Sequence, residues 1–212
     1  MDAEFWHQKW ESKQIGFHRD QVNHLLVKYL SALDLIAGQT IFLPLCGKTV
    51  DIAWLMGQGL FVRGIELHEP AVIELFASLS LKPEVIKVGD LKQYSVKGLV
   101  VFVGDIFNLT SSILGEVNAV YDRAAIVALP ETMRSDYAYQ VMTVSQKSQQ
   151  LMINYVYDQA QMQGPPFSVS NEELILYFED HYAMTLLSER IVEGGLKGKC
   201  PAREYTWLLE RH

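Results

Sequence analysis

The chain of 212 residues has only two cysteines, Cys46 and Cys200. That is too few for a disulfide framework, and neither stands in a Cys/His spacing of the kind that grips a metal ion. No metal is expected. There is also no apolar run near the roughly 18 residues that a membrane span requires. The N-terminus, MDAEFWHQKWESK, carries acidic residues where a secretory signal needs a basic start and an apolar centre. Clusters of Lys and Arg are missing as well. With 18 basic against 25 acidic residues the formal net charge is −7, so the long-range field opposes a phosphate backbone or an anionic lipid surface. Neither nucleic acid nor membrane is expected as a partner, and the cytoplasm is the expected compartment. An apolar fraction of 49% with 20% charged residues is ordinary for a folded globular enzyme. No repeat, low-complexity tract or linker interrupts it, so residues 1–212 are expected to form a single domain, a monomer with no disordered tail.

What is present is an alternation of β-prone runs and helical periods. IFLPL (41–45), LFVRGIEL (60–67), VVFVGD (100–105), NAVYD (118–122), LMINYVYD (151–158), YAMTLLSERIV (182–192) and EYTWLLER (204–211) read as strands. Between most of them lie amphipathic helices: VDIAWLMGQG, PAVIELFASL, PETMRSDYAYQVMTVSQ and NEELILYFEDHY. Pro70 and Pro130 suit first helical turns, and Ser170 with Glu173 three positions on forms a capping-box pattern. Such alternation predicts βαβ units. The expected fold is α/β, a doubly wound, seven-stranded and mostly parallel sheet. Its last strand should be antiparallel, because EGGLKGKCPAR (193–203) is too short and irregular to supply the crossover that a parallel pair needs.

In a doubly wound sheet, ligands sit at the carboxyl ends of the strands, and the first strand-to-helix turn contacts them most. That turn is LPLCGKT (43–49). Gly47-Lys48-Thr49 spells the end of a phosphate loop, but Phe42 stands where the motif requires its first Gly. The single Gly also fails the dinucleotide fingerprint, whose close approach to pyrophosphate needs two or three. The turn therefore fits a ligand without phosphates. Glu66 closes the second strand 21 positions after Leu45, about where an acid accepts hydrogen bonds from ribose hydroxyls. Asp105, closing the third strand, adds a polar group at the same rim, and Ile106 beside it suits an adenine face. An acidic residue ending a strand is more often a solvated cap than a ligand. The ordered conjunction is what points to a nucleoside without phosphates, and with the expected sheet to S-adenosylmethionine.

WHQKWESKQIGFH, LPLCGKTVDIAWL, GIEL, GDIF, YDRAAIVALP, YDQ and GPPFSV, in that order, resemble the bacterial branch of the thiopurine S-methyltransferases, over residues 6 to about 170. The blocks PLCGK and YDRAA-to-ALP are the most specific, and the likeness thins in the C-terminal third. The resemblance implies a class I methyltransferase fold, S-adenosylmethionine as methyl donor, and the sulfur of an aromatic or heterocyclic thiol as acceptor. It implies cofactor contacts from Trp10, Leu45, Glu66, Asp105, Ile106 and Arg123, a catalytic role for Arg123, and a substrate contact from Phe17.

Each of these residues has a plainer reading. Trp6 and Trp10, one helical turn apart, are more often core anchors than lids over a pocket. Arg123 would serve as well by pairing with its neighbour Asp122. His18 reads as an exposed loop residue, and Cys46, with no His nearby, as small apolar packing. The competing functions are a methyltransferase for oxygen or nitrogen acceptors, one acting on selenium or tellurium compounds, and a nucleoside-binding protein that consumes nothing.

Overall fold

The computed structural model describes residues 3–12 and 19–212. Nine strands form one sheet in the order β3-β4-β5-β2-β1-β6-β7-β9-β8. They are β1 (Thr40–Leu43), β2 (Phe61–Glu66), β3 (Glu84–Val88), β4 (Leu91–Val96), β5 (Leu99–Val103), β6 (Ala119–Arg123), β7 (Gln149–Tyr157), β8 (Tyr182–Ile191) and β9 (Ala202–Arg211). The five central strands, β5-β2-β1-β6-β7, run parallel. The pairs outside them are antiparallel. This corrects the expected strand count, while the last strand, β9, is antiparallel to both neighbours as expected. The added pair is the hairpin β3–β4, whose outer strand is almost wholly exposed and so lacks the apolar run that marks a buried strand. The C-terminal hairpin forms as expected, but β9 inserts between β7 and β8.

Alternation along the central strands sends side chains to two cores. Phe42, Ile65, Phe102, Val120 and Met152 face α5 (Ser111–Leu114), α6 (Glu131–Val144) and α7 (Asn171–Phe178). Ile41, Leu43, Val62, Val101, Tyr121 and Ile153 face α2 (His24–Tyr29), the 3-10 turn Leu30–Leu33, α3 (Asp51–Gly57) and α4 (Glu69–Ser78). Covering both faces is what permits short strands with no polar side, as in the fully buried TIFL of β1. Helix α1 (Ala3–Glu11) precedes all of this. No helix among the described residues is long and apolar enough to cross a membrane.

Half of the capping box at α7 is present, with Ser170 Oγ accepting the Glu173 N–H at 3.1 Å. The Glu173 carboxylate does not return to Ser170. It takes both bonds from Arg134 of α6, at 2.8 and 2.9 Å. Arg134 is 4% exposed, and a guanidinium so deep in the protein needs a countercharge more than a helix end needs a second cap.

Candidate active site

The parallel strands end together, and the turns leaving them enclose a cleft with α1 over its mouth. Trp10, Leu45, Glu66, Asp105, Ile106 and Arg123, chosen from the sequence, all line this cleft. Its empty volume is ≈ 1090 Å³, counting the open mouth.

The first turn leaves β1 through Pro44. Leu45 and Gly47 both take left-handed backbone, with φ of 46° and 55°. For a branched residue such as Leu45 this costs on the order of 1–2 kcal/mol, so the surroundings must impose it. They do so through β2. The Cys46 N–H donates to the Ile65 carbonyl at 2.9 Å, and the Gly47 N–H to Glu66 Oε2 at 2.9 Å. Cys46 packs so closely on β2 that a Cβ at Gly64 would come within 2.7 Å of its Sγ. Burial pushes the Cys46 thiol well up, which keeps it an uncharged filler.

Glu66 is not the polar rim residue that its place at a strand end suggests. It is 6% exposed. Oε1 accepts the His68 N–H at 2.9 Å, opposite the bond from Gly47, and the Trp10 side chain is a further hydrogen-bond partner. Burial raises its pKa, while the N–H groups of His68, Gly47 and Leu67 and the bond to Trp10 oppose the rise. One carboxylate thus ties together the first turn, the start of α4 and helix α1.

At the end of β5, Gly104 takes a φ of 140°, and a Cβ there would lie 2.5 Å from Leu91 Cδ2, so only glycine lets the chain turn into the cleft rim. Asp105 is exposed, and its Oδ1 caps the 3-10 turn Ile106–Asn108 by accepting the Phe107 N–H at 3.0 Å. Ile106 is buried, while Phe107, 38% exposed, offers the cleft a flat ring that the sequence reading did not single out.

Alternation along β6 decides the Arg123 question. Tyr121 and Arg123 share the face toward the cleft, and Asp122 between them points to the opposite core. Both Asp122 oxygens are engaged there, by the Ile126 N–H at 3.1 Å and the Tyr137 hydroxyl at 2.6 Å. Burial, opposed by these bonds, raises its pKa to about 6. An Arg123–Asp122 pair is therefore overturned. The ion pairs among the described residues leave Arg123 out.

A second hollow continues the first and shares Trp6, Arg123, Ala124 and Ala128 with it. Its far wall brings together Arg19, Tyr155, Arg190, Lys197 and Glu204. Glu204, 3% exposed, is paired with Arg190. Burial and the bond to Glu204 push the Tyr155 hydroxyl well up. None of these C-terminal residues was legible as a site, because Arg190 and Glu204 sit in runs whose apolar neighbours mark them only as strands. Asp51 and Tyr121, also cleft-lining, read in the sequence as a helix start and a strand interior. Phe17 and His18 lie outside the described residues.

Comparison with known proteins agrees with this architecture. The model of the family described as Thiopurine S-methyltransferase (TPMT) matches residues 1–200. The thiopurine S-methyltransferase of Xanthobacter autotrophicus is 48% identical over 212 residues, covering 100% of both chains. That of Teredinibacter turnerae is 46% identical over 212 residues, covering 100% of this chain and 99% of its own. Among solved structures, the Burkholderia thailandensis 1,6-didemethyltoxoflavin-N1-methyltransferase, with bound 1,6-didemethyltoxoflavin and S-adenosylhomocysteine, superposes with a TM-score of 0.66 at 12% identity, covering 98% of this chain and 87% of that one. The sheet is therefore that of the S-adenosylmethionine-dependent methyltransferases, and the chain belongs to the thiopurine S-methyltransferase family.

Proposed function

We infer that the protein transfers the methyl group of S-adenosylmethionine to the sulfur of an aromatic or heterocyclic thiol. The observation that carries this reading is one continuous hollow in two halves, joined at Arg123. The half at the strand ends fits the donor. Its first turn offers one buried carboxylate and no nest of glycine N–H groups, which suits ribose hydroxyls and excludes a pyrophosphate. When bound, S-adenosylmethionine supplies a methyl carbon already activated by the sulfonium charge.

The residues then have these tasks. Glu66 accepts the ribose hydroxyls, in part by sharing the acceptor sites that Trp10 now uses. Asp105, Ile106 and the Phe107 ring border the adenine. Leu45, in its imposed left-handed turn, brings backbone up to the donor, and Trp6 and Trp10 keep water from the reacting centre. The family likeness adds Phe17 as an acceptor contact. Arg123 stands where the halves meet and stabilises the acceptor sulfur as its anion. With Arg19, Arg190 and Lys197 against Glu193 and Glu204, the acceptor half is net positive and favours a thiolate over a neutral alcohol. Thiolate and sulfonium neutralise one another on reaction, so a dry cleft favours the step.

The same reading makes residues 1–212 one methyltransferase domain. The scarcity of cysteine supports a cytoplasmic enzyme, the acidic net charge one that leaves nucleic acid alone, and a monomer suffices because both halves of the hollow come from one chain. The test is incubation of the protein with methyl-labelled donor and a panel of thiols. Label in the thioether, with S-adenosylhomocysteine released, is expected. Binding of donor with no transfer to any thiol would overturn the reading in favour of a binding protein.

A further inference from the structure

Asp51 is the buried acid in the cleft to which the tasks above give nothing. It is 1% exposed and lines the donor half. Its Oδ1 accepts the Asn23 backbone N–H at 2.8 Å and its Oδ2 the Tyr121 hydroxyl at 3.3 Å. Both donors are neutral, and the second bond is long. The ion pairs among the described residues do not include Asp51, and Lys48, the cation of the adjacent turn, is paired with Glu74 at 2.5 Å. A carboxylate offers about four acceptor positions, of which two are filled here. A buried carboxylate with open acceptor positions in a cleft wall is ready to take a further donor.

Arg123, half-buried where the hollows join, is likewise outside the ion pairs of the described residues. It stands two residues from Tyr121 on one strand face, roughly 7 Å along β6, and Tyr121 in turn touches Asp51. An acid and a base, both beside Tyr121 and not paired with each other, match a ligand end that carries both charges. A free α-amino acid group is such an end.

We propose that Asp51 is the countercharge for the α-ammonium of the donor's amino-acid end, while Arg123, whose five donors allow two partners at the seam of the hollows, serves both that end's carboxylate and the acceptor sulfur. This rests on S-adenosylmethionine as donor. Asp51 is then a positioning residue: it anchors the chain attached to the sulfonium and so fixes the direction in which the methyl group points. Through Asn23 it also ties that anchor to the segment leading into α2.

The test is calorimetric titration of wild type, Asp51→Asn and Asp51→Glu with two ligands. One is S-adenosylhomocysteine; the other is its deaminated analogue, in which hydrogen replaces the α-amino group. Wild type should prefer S-adenosylhomocysteine by about tenfold or more, the scale of a hydrogen bond between charged groups. In D51N the preference should collapse toward unity, because only the amino ligand loses a partner. D51E keeps the charge and should keep much of the preference. Equal weakening of both ligands in D51N would overturn the proposal and leave Asp51 as a brace for Asn23 and Tyr121. Equal binding of the two ligands to wild type would overturn it without any variant, and loss of the preference in D51E would do so if D51N fails to fold. No binding of either ligand to wild type would instead overturn the donor assignment.

Discussion

The indole of Trp10 lies parallel to the imidazole of His68, with ring centroids 5.5 Å apart and an interplanar angle of 4°. Because Trp10 also bonds Glu66, helix α1 is docked on the same short segment, residues 66–68, that anchors the first turn. The N-terminal helix is therefore anchored on the acid proposed to bind the ribose. Ordering a segment over a ligand is a common way to exclude water. Amide exchange across residues 3–12 should slow when S-adenosylhomocysteine is added, and Trp10→Ala should abolish that slowing while leaving the central strands protected. Full protection of residues 3–12 before ligand is added would make α1 ordinary core.

Glu66→Ala should lower donor affinity by roughly 1.5–3 kcal/mol, because the ribose hydroxyls lose a charged acceptor. It should also lower stability. The Gly47 and His68 N–H groups lose the acceptor they share, and a buried unsatisfied donor costs about 1–3 kcal/mol. Glu66→Gln keeps the shape and one carbonyl acceptor, so it should recover much of the stability and less of the affinity. Titration calorimetry and urea unfolding of both variants separate the effects. Unchanged affinity in a folded E66A would reduce Glu66 to a brace for the turn.

The strands and helices that position the cleft were legible because their apolar residues recur in order along the chain, a pattern that the sequence itself records. The β3–β4 hairpin was not, since Lys87, Lys92 and Gln93 break up its apolar pattern. Its signal was the two-residue Gly89-Asp90 turn between alternating segments. Glu66, Asp105 and Ile106 could be chosen because they stand at or just past the end of a strand, whereas Trp10, Leu45 and Arg123 came from the family resemblance. The burial of Glu66 could not be seen, because it depends on Trp10 and Gly47 arriving from distant parts of the chain. Arg190, Lys197 and Glu204 were hidden for a like reason: the register of β8 on β9, with its irregularity between Leu186 and Ser188, sets which of their side chains meet.

The Asp122 carboxylate should make stability depend on pH with an identifiable sign. Its pKa is about 6 in the folded protein against 3.8 unfolded, so between these values the folded chain holds a proton that the unfolded chain has shed. Its contribution to stability is therefore present below pH 3.8 and is lost as pH rises through 6, a swing on the order of 3 kcal/mol. Asp122→Asn removes the titration while its amide carbonyl still accepts the Ile126 N–H. Relative to D122N, wild type should gain stability as pH falls from 7 to 4. Urea unfolding at a series of pH values checks this. A gap that stays constant with pH would mean that Asp122 has an ordinary pKa.

The choice of sulfur over oxygen should follow from what surrounds the acceptor. Among the described residues, the one carboxylate buried in the wall of the second hollow, Glu204, is already engaged by Arg190 and by Tyr155, which leaves it poorly placed to take a proton. General base catalysis typically contributes 10²–10⁴-fold, and an alcohol needs it because its pKa lies far above that of a thiol. A site with no free buried base among its described residues still methylates a nucleophile that ionises unaided, and Arg123 favours that anion further. Aromatic and heterocyclic thiols should therefore react, matched hydroxyl analogues should be slower by orders of magnitude, and the rate should track the thiolate fraction as pH is varied. Arg123→Ala should lower the thiol rate, and Arg123→Lys should restore part of it, because the charge survives although the planar fork is lost. Pairs of thiol and hydroxyl analogues, assayed at one donor concentration, decide the matter. Comparable turnover within each pair would sink the sulfur-directed reading and require a base beyond the buried residues described in this wall.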